Sequence, residues 1–352
     1  MKKILLTLVF ILLLASTLGE GVYIWQQQKG FALLSTLIHQ KSLPPPRPLL
    51  AYDFQNLKKD RFPVTQIKLG NVVTSTSNYV SRMFYYSVPV RPNSHKLEKV
   101  SGLINLPAQA GNYPVIVMFR GYVDHSIYKP GIGTQPVARV LAQNDYITLA
   151  PDFLGYGQSA SPSADPFENR FQTYTTALTM LSSLPTLNKG LSRIYNGTIS
   201  AEMSKVGIWA HSNGGHIALS TLAISGVSYP TVLWAPVSTS FPYDILYYTD
   251  ESDDQGKSLR KALAQFEAVY NTDLFSPPLY YKWIKAPIEL DQGTNDHEVP
   301  FWWSDELAAA LKKDRVNVIY NTYPGADHNL LPNGWSQALT NDLQFYNKQL
   351  GQ

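Results

Sequence analysis

The sequence predicts an α/β fold: a mostly parallel, doubly wound sheet covered by helices on both faces, with antiparallel N-terminal strands and a small cap insertion. Three observations predict it. From residue 114 onward, short apolar runs alternate with helical stretches, the order that builds a parallel sheet covered on both faces. An apolar run ending in Ala210, His211 and Ser212 passes through Asn213, Gly214 and Gly215 directly into a helical pattern, the form of a strand, a tight turn and a helix. Two later strands are each followed by a loop in which a glycine precedes a candidate functional residue, Gly293 before Asp296 and Gly325 before His328.

The amino terminus stands apart from this pattern. Lys2 and Lys3 precede an apolar run from Ile4 to Ala15, the basic and hydrophobic regions of an export signal. Ala15, Ser16, Thr17 and Gly19 suit a signal peptidase, but there is no Ala-x-Ala. Continued through Val22, Ile24 and Trp25, the run reaches about 20 residues, roughly a bilayer span, with Glu20 as a costly passenger and Tyr23 and Trp25 at interfacial depth. Residues 1–25 therefore read as a signal anchor, with a cleaved signal peptide as the alternative. Either way the lysines stay cytoplasmic and the body is exported, membrane-anchored and facing the extracytoplasmic side, or secreted. Residues 26–49 form a spacer stiffened by Pro44, Pro45, Pro46 and Pro48, and the folded domain spans 50–352.

Within that domain, β-rich runs at 66–73, 79–89 and 97–106 predict antiparallel strands at a sheet edge. Strands at 114–119, 146–150, 205–210, 231–234, 286–290 and 316–320 then alternate with helices at 136–143, 166–184, 215–224, 301–312 and 335–350. Residues 236–285 interrupt the alternation and read as a cap inserted into the sheet domain, because long connections in compact domains are functional or separately folded. They hold a helical pattern at 259–270 and the acidic patch Asp250, Glu251, Asp253, Asp254. The patch lacks the glycine and terminal glutamate of a calcium-binding EF-hand loop, so it reads as a solvated helix start.

Composition narrows the function classes. A hydrophobic content of 44% with 16% charged residues over 352 residues supplies a sizeable core. A net charge of +3 with no basic run leaves no footprint for nucleic acid. Cysteine is absent, which excludes disulfides, thiolate zinc sites and a thiol nucleophile. Ser212 has no thiol competitor. Nothing in the pattern specifies an oligomer.

A strand-to-helix turn as tight as that at Ser212 forces strained backbone angles on the serine, and a side chain larger than Ala two residues to either side would collide; Ala210 and Gly214 meet that demand. This is the form of a nucleophile elbow, and the plain alternative is an ordinary turn that holds a serine. A serine nucleophile needs a base, and the base an orienting acid, in loops after later strands. Asp296 and His328 answer in that order. Asp291, Glu298 and Asp327 compete for the acid role, but Asp296 sits several residues past its strand, far enough to reach the histidine loop, while Asp291 reads as the strand's end. His125, His211, His216 and His297 compete for the base. His211 and His216 flank the serine too closely to swing a ring onto its hydroxyl, and His297 would leave the last loop without a role. The oxyanion hole calls for two backbone donors: the amide of Asn213 and that of Tyr122, with Gly121 allowing close approach. The glycines of 152–159 read as a structural turn beside the site. Tyr122, Tyr156, Phe241, Tyr280 and Tyr281 are candidates to line an apolar pocket, or else core, and Trp302 and Trp303 read as core. No cofactor and no metal is called for.

On these residues the chain resembles the α/β-hydrolase superfamily and, within it, the catalytic domain of the prolyl oligopeptidase family of serine peptidases, over about 99–347. The resemblance rests on 152–159, 206–215, 286–300 and 323–328. It implies a triad of Ser212, Asp296 and His328 and hydrolysis of an amide or ester through an acyl-enzyme. Two departures matter. Established peptidases of that family carry a large β-propeller ahead of the catalytic domain, and residues 50–110 are too few to supply one. Those peptidases also place a tyrosine hydroxyl in the oxyanion hole, where this chain has Phe119, Arg120, Gly121 and no such hydroxyl.

The expected function is therefore a serine hydrolase acting on a peptide or ester substrate as a prolyl oligopeptidase-like peptidase, with a carboxylesterase on the same triad as the alternative. A non-catalytic binding module on the same fold is the alternative of another class, and retention of all three residue types argues against it. An acyltransferase would share the acyl-enzyme and differ only in the acceptor. A histidine base works only when neutral, so activity is expected to fall as pH drops through roughly 6 to 7.

Overall fold

The computed structural model describes residues 47–351; the anchor or signal peptide expected at 1–25, and the spacer up to residue 46, lie outside the described residues. Among the described residues no helix is long and apolar enough to cross a membrane. The described chain enters through a 3-10 turn at Pro48–Tyr52 and helix α1 (Phe54–Lys59), whose cap Asp53 accepts the Asn56 amide at 2.6 Å. Leu49, Tyr52, Phe54 and Leu57 are buried, so the last spacer residues already belong to the packed domain.

Nine strands follow: β1 (Lys68–Ser75), β2 (Tyr79–Pro89), β3 (Leu97–Pro107), β4 (Gly111–Phe119), β5 (Ile147–Pro151), β6 (Ile199–His211), β7 (Thr231–Trp234), β8 (Ile288–Gly293) and β9 (Val318–Tyr323). The helices between and after them are α2 (Gln135–Gln143), α3 (Pro166–Ser183), α4 (Leu187–Tyr195), α5 (Asn213–Ser225), α6 (Lys257–Glu267), α7 (Phe301–Lys313) and α8 (Trp335–Leu350). The strands form one sheet in the order β1-β2-β3-β5-β4-β6-β7-β8-β9. Pairing is antiparallel from β1 to β3 and between β3 and β5, and parallel from β5 through β9.

Period-two alternation decides the layers. On β4, Val115, Val117 and Phe119 face a core shared with α3, α4, α5 and α7, whereas Ile116 and Met118 face a second core shared with α2 and α8. Because β5 lies on one side of β4 and β6 on the other, the chain changes direction across the sheet there. Such a switch point leaves a crevice at the carboxyl ends of the two strands. Gly121 and Ser212 sit at those ends.

Three expectations shift. The sequence reading missed α4 and the first half of β6, because Asn196 (φ 49°) and Gly197 (φ 84°) make a turn and the strand start mixes buried residues with Glu202, Ser204 and Lys205. Strand β8 runs on through Gly293, so Asp291 lies inside the sheet, fully buried, and does not end the strand; a buried carboxylate defeats a reading that equates polar with loop. Segment 236–285 holds a helical turn at Tyr243–Leu246, α6, and 3-10 turns at Thr272–Phe275 and Pro277–Trp283. Its Phe275 stacks on Phe171 of α3, and its Tyr280 on Phe54 of α1, both with centroids 4.8 Å apart. Phe241, Tyr280 and Tyr281 are thus core and not pocket lining. The Asp254 carboxylate accepts the Gly256 and Ser258 amides at 2.9 and 2.8 Å, a helix-start role for the acidic patch.

Candidate active site

Ser212 stands between β6 and α5 with φ 56° and ψ −124°, a conformation L-residues rarely adopt. Its surroundings hold it there. The Ser212 amide donates to the Trp234 carbonyl at 3.0 Å, and its own carbonyl accepts the Gly215 and Val237 amides at 2.9 and 3.0 Å. A Cβ on Gly214 would lie 2.1 Å from the Phe119 carbonyl oxygen, and one on Gly121 would lie 2.9 Å from Ser212 Cβ, so both glycines are required by close approach.

The acid and histidine loops converge beside it. His328 Nδ1 lies 2.9 Å from Asp296 Oδ2, with the Asp296 side chain fully buried and that of His328 14% exposed. Asp296 is held from every side: Oδ1 accepts the Glu298 and Val299 amides at 2.9 and 2.8 Å, and Oδ2 accepts Gln292 Nε2 at 2.9 Å. Burial alone would raise its carboxyl. The hydrogen bond and charge of His328, the Val299 amide and Gln292 outweigh burial and leave the pKa lowered, so the group is a carboxylate. Ser212 Oγ makes no hydrogen bond among the described residues; in unliganded sites such bonds are often long and tighten only with substrate. The His328 ring packs against that of His211, the residue before Ser212, with centroids 4.5 Å apart.

Two backbone donors face this region. Asn213 opens α5, and neither its amide nor that of Tyr122 has an acceptor among the described residues. Both residues line a cleft of about 290 Å³ with Arg120, Tyr156, Arg170, Tyr174 and His216 among its walls. Tyr122 and Tyr156 therefore do line a pocket, though one with cationic and polar walls.

Residues 192–352 match the prolyl oligopeptidase family. The fold is similar to that of acetyl xylan esterase 1 from Thermoanaerobacterium sp. JW/SL YS485 (TM-score 0.54, 16% identity, 87% of this chain and 94% of that one). It is also similar to an S-formylglutathione hydrolase from Agrobacterium tumefaciens (0.51, 16%, 80% and 99%). Dipeptidyl peptidase 4 from Porphyromonas gingivalis aligns over 84% of this chain but only 37% of its own (TM-score 0.50, 12% identity). At such identities the likeness concerns the fold. No curated protein matches the sequence.

The chain is a serine hydrolase with the α/β-hydrolase fold. It resembles the prolyl oligopeptidase-family catalytic domain, and ahead of β4 its described residues form three antiparallel strands in the main sheet, not a propeller.

In this hydrolase the competing groups have other work. Asp291 accepts the Tyr323 hydroxyl at 2.6 Å, inside the sheet. Asp327 accepts the Asn329 and Leu331 amides, both at 2.8 Å, closing the turn that carries His328. Glu298 and His297 are exposed, and His125 stacks on Tyr156 at 3.9 Å. His216 is buried between the Tyr174 hydroxyl, 2.7 Å from Nε2, and Asp244, which pairs with Arg170. Burial, and then the charge of Arg170, holds its pKa well below the usual range.

His211, next to the serine in sequence and so not its base, has a bracing role. Its Nε2 donates to the His328 carbonyl at 2.9 Å, and burial, with His328 nearby, lowers its pKa to about 4, so it stays neutral. Gln292 was missed altogether; its only sequence signal was a polar residue at the end of an apolar run. Trp303 is buried as expected, but Trp302 is 49% exposed, because α7 turns that face outward.

Proposed function

We propose that the hydrolase cleaves carboxylic esters through an acyl-enzyme on Ser212. His328 Nε2 takes the Ser212 hydroxyl proton as Oγ attacks the acyl carbon, Asp296 fixes the imidazole tautomer, and the amides of Tyr122 and Asn213 hold the oxyanion. The proton passes to the departing alkoxide, which leaves as the alcohol. Water then attacks the acyl-enzyme, gives its proton to His328, and the acid leaves as Ser212 regains that proton.

The observation that carries the ester reading is Phe119. By the sequence resemblance it stands where the peptidases of the family have a tyrosine hydroxyl, and it is fully buried in the core. Two amides then bear the developing charge alone, a smaller stabilisation that suits an ester better than the less electrophilic amide. The family match over 192–352 favours a second reading, a peptidase on the same groups. A panel of p-nitrophenyl esters and peptide anilides decides between them: esters are expected to be turned over, with kcat/KM for anilides at least about 10²-fold lower, the size of one oxyanion contact. Faster anilide cleavage would replace the ester reading, and full activity in Ser212→Ala would overturn the triad. The basic-then-apolar character of residues 1–25 supports export, to an anchored or secreted location; full-length chain in the cytosolic fraction would count against it.

A further inference from the structure

We propose that Arg120 is a positioning residue for the oxyanion hole, holding the Gly121–Tyr122 peptide so that the Tyr122 amide faces the reacting acyl oxygen. This rests on the proposed roles of Ser212 and Tyr122. Arg120 is 7% exposed. Its Nη1 donates to the Gly121 carbonyl at 2.8 Å and its Nη2 to the Asp152 carbonyl at 3.1 Å. The guanidinium lies 4.0 Å from the Tyr156 ring centroid and 4.9 Å from that of Tyr128. Both planes of contact are satisfied by a rigid fork that lysine cannot imitate.

In a trans peptide the C=O and N–H point in opposite directions. Pulling the Gly121 carbonyl toward Arg120 therefore turns the Tyr122 N–H away from the guanidinium. Nothing else among the described residues grips this peptide: Gly121 has no side chain, Tyr122 is 74% exposed, and the Tyr122 amide has no protein acceptor. Unclamped, a peptide following glycine is free to flip, and a flip would present a carbonyl oxygen where a donor is needed.

The turn after β5 builds the clamp's other half. Phe153 (φ 67°), Gly155 (φ 81°) and Gly157 (φ 59°) fold it so that the Asp152 carbonyl and the Tyr156 ring both reach Arg120. The Tyr156 hydroxyl donates to the Val123 carbonyl at 3.0 Å, and the Asp152 carboxylate accepts the Tyr128 hydroxyl at 2.6 Å, tying the turn to the oxyanion loop twice more. The glycines of 152–159 thus act through Arg120.

The test compares p-nitrophenyl acetate with its thionoester, O-(4-nitrophenyl) thionoacetate, in the full chain. A C=S acceptor uses oxyanion-hole hydrogen bonds poorly, and the ratio of the two kcat/KM values cancels the amount of folded enzyme. For Arg120→Met we expect kcat on the oxoester to fall about 10- to 100-fold, below the 10²–10³ of deleting a donor outright. KM should stay within about threefold, and the oxo-to-thiono ratio should fall by the same factor as kcat. Arg120→Lys, which keeps the charge and reaches at most one carbonyl, should give an intermediate ratio and serves where the methionine variant folds poorly. A wild-type ratio in both variants, or equal losses on both esters, overturns the inference while leaving the triad intact. Turnover retained in Ser212→Ala overturns the underlying reading instead.

Discussion

Asp296→Asn is the sharpest perturbation of the proposed triad, because the two carboxylate oxygens of Asp296 are not equivalent. Oδ1 faces two backbone amides, Glu298 at 2.9 Å and Val299 at 2.8 Å, and amides can only donate. An asparagine must therefore keep its carbonyl at the Oδ1 place and put its NH2 where Oδ2 was, facing His328 Nδ1 and Gln292 Nε2. His328 can then only accept at Nδ1, which moves its proton to Nε2, the nitrogen that must take the serine proton. Gln292 meets a second donor, and escapes only by turning its amide away from the Gly293 carbonyl, 3.2 Å distant, and the Ser304 hydroxyl, 2.7 Å distant.

The magnitude follows from these bonds. Losing the charge-assisted bond to the imidazolium removes about 1.5–3 kcal/mol, and a buried donor facing a donor adds about 1–3 kcal/mol. The sum, roughly 3–6 kcal/mol at about 1.4 kcal/mol per decade, corresponds to a loss in kcat of about 10²- to 10⁴-fold. The assay is kcat on p-nitrophenyl acetate, with thermal unfolding as the control that the fold is kept. Asp296→Ala imposes no tautomer and should retain more kcat than the asparagine variant. An Asp296→Asn enzyme within tenfold of wild type would refute the tautomer argument.

Two further predictions concern buried charge. Glu289, Asp291 and Asp342 bring carboxylate oxygens within 4.8 Å of one another beneath the sheet. Burial, then the charge of Asp291, pushes Glu289 up to about 8; burial pushes Asp291 up to about 7; Asp342 is raised by burial and then by the other two. The folded state thus keeps protons that the unfolded chain has shed, so stability should fall as pH rises from about 4 to about 8, by an amount on the order of a few kcal/mol. Asp342→Asn, which resembles the protonated acid, should raise Tm at pH 8 and change it little at pH 4; a lower Tm at both values would contradict the assignment. Asp244, fully buried against Arg170 and 3.3 Å from His216 Nδ1, links the 236–285 segment to α3 and α5. Asp244→Asn strands the arginine's charge and should cost about 3–5 kcal/mol in urea unfolding, recovered largely by an apolar pair, Asp244→Leu with Arg170→Met; a loss below about 1 kcal/mol would show the pair to be immaterial.

How much of this was legible in the sequence depended on whether a residue's partners were near it in the pattern. Strands β2, β3 and β7 and helices α3 and α8 announced themselves, since each is a long or fully apolar run with a clear boundary: Asp165 and Pro166 open α3, for instance, and Asp165 caps it through the Phe167 and Glu168 amides, both at 2.9 Å. What failed was the equation of polarity with exposure. Asp291 and Gln292 extend β8 by buried hydrogen bonds to Tyr323 and Ser304, partners separated from them by 32 and 12 positions. Phe241, Tyr280 and Tyr281 sit in a segment that interrupts the alternation, and only their packing against α1 and α3 reveals them as core.

The same distinction runs through the site. The proposed roles of Ser212, Asp296 and His328 each demand a residue type at a loop position fixed by the strand before it, and the acid and base chosen on that ground lie 2.9 Å apart. The residues that hold those groups in place were not readable, because bracing demands no particular type. His211 grips the histidine loop, Gln292 grips the acid, and Arg120 grips the Gly121 peptide, each by hydrogen bonds of 2.8 to 2.9 Å. All three lie on or immediately after a strand that carries a proposed catalytic or oxyanion residue, one or a few positions from it. The strand end both delivers the reacting group and supplies the side chain that fixes a neighbouring loop, so in this chain the positions flanking the predicted groups are where orientation is set.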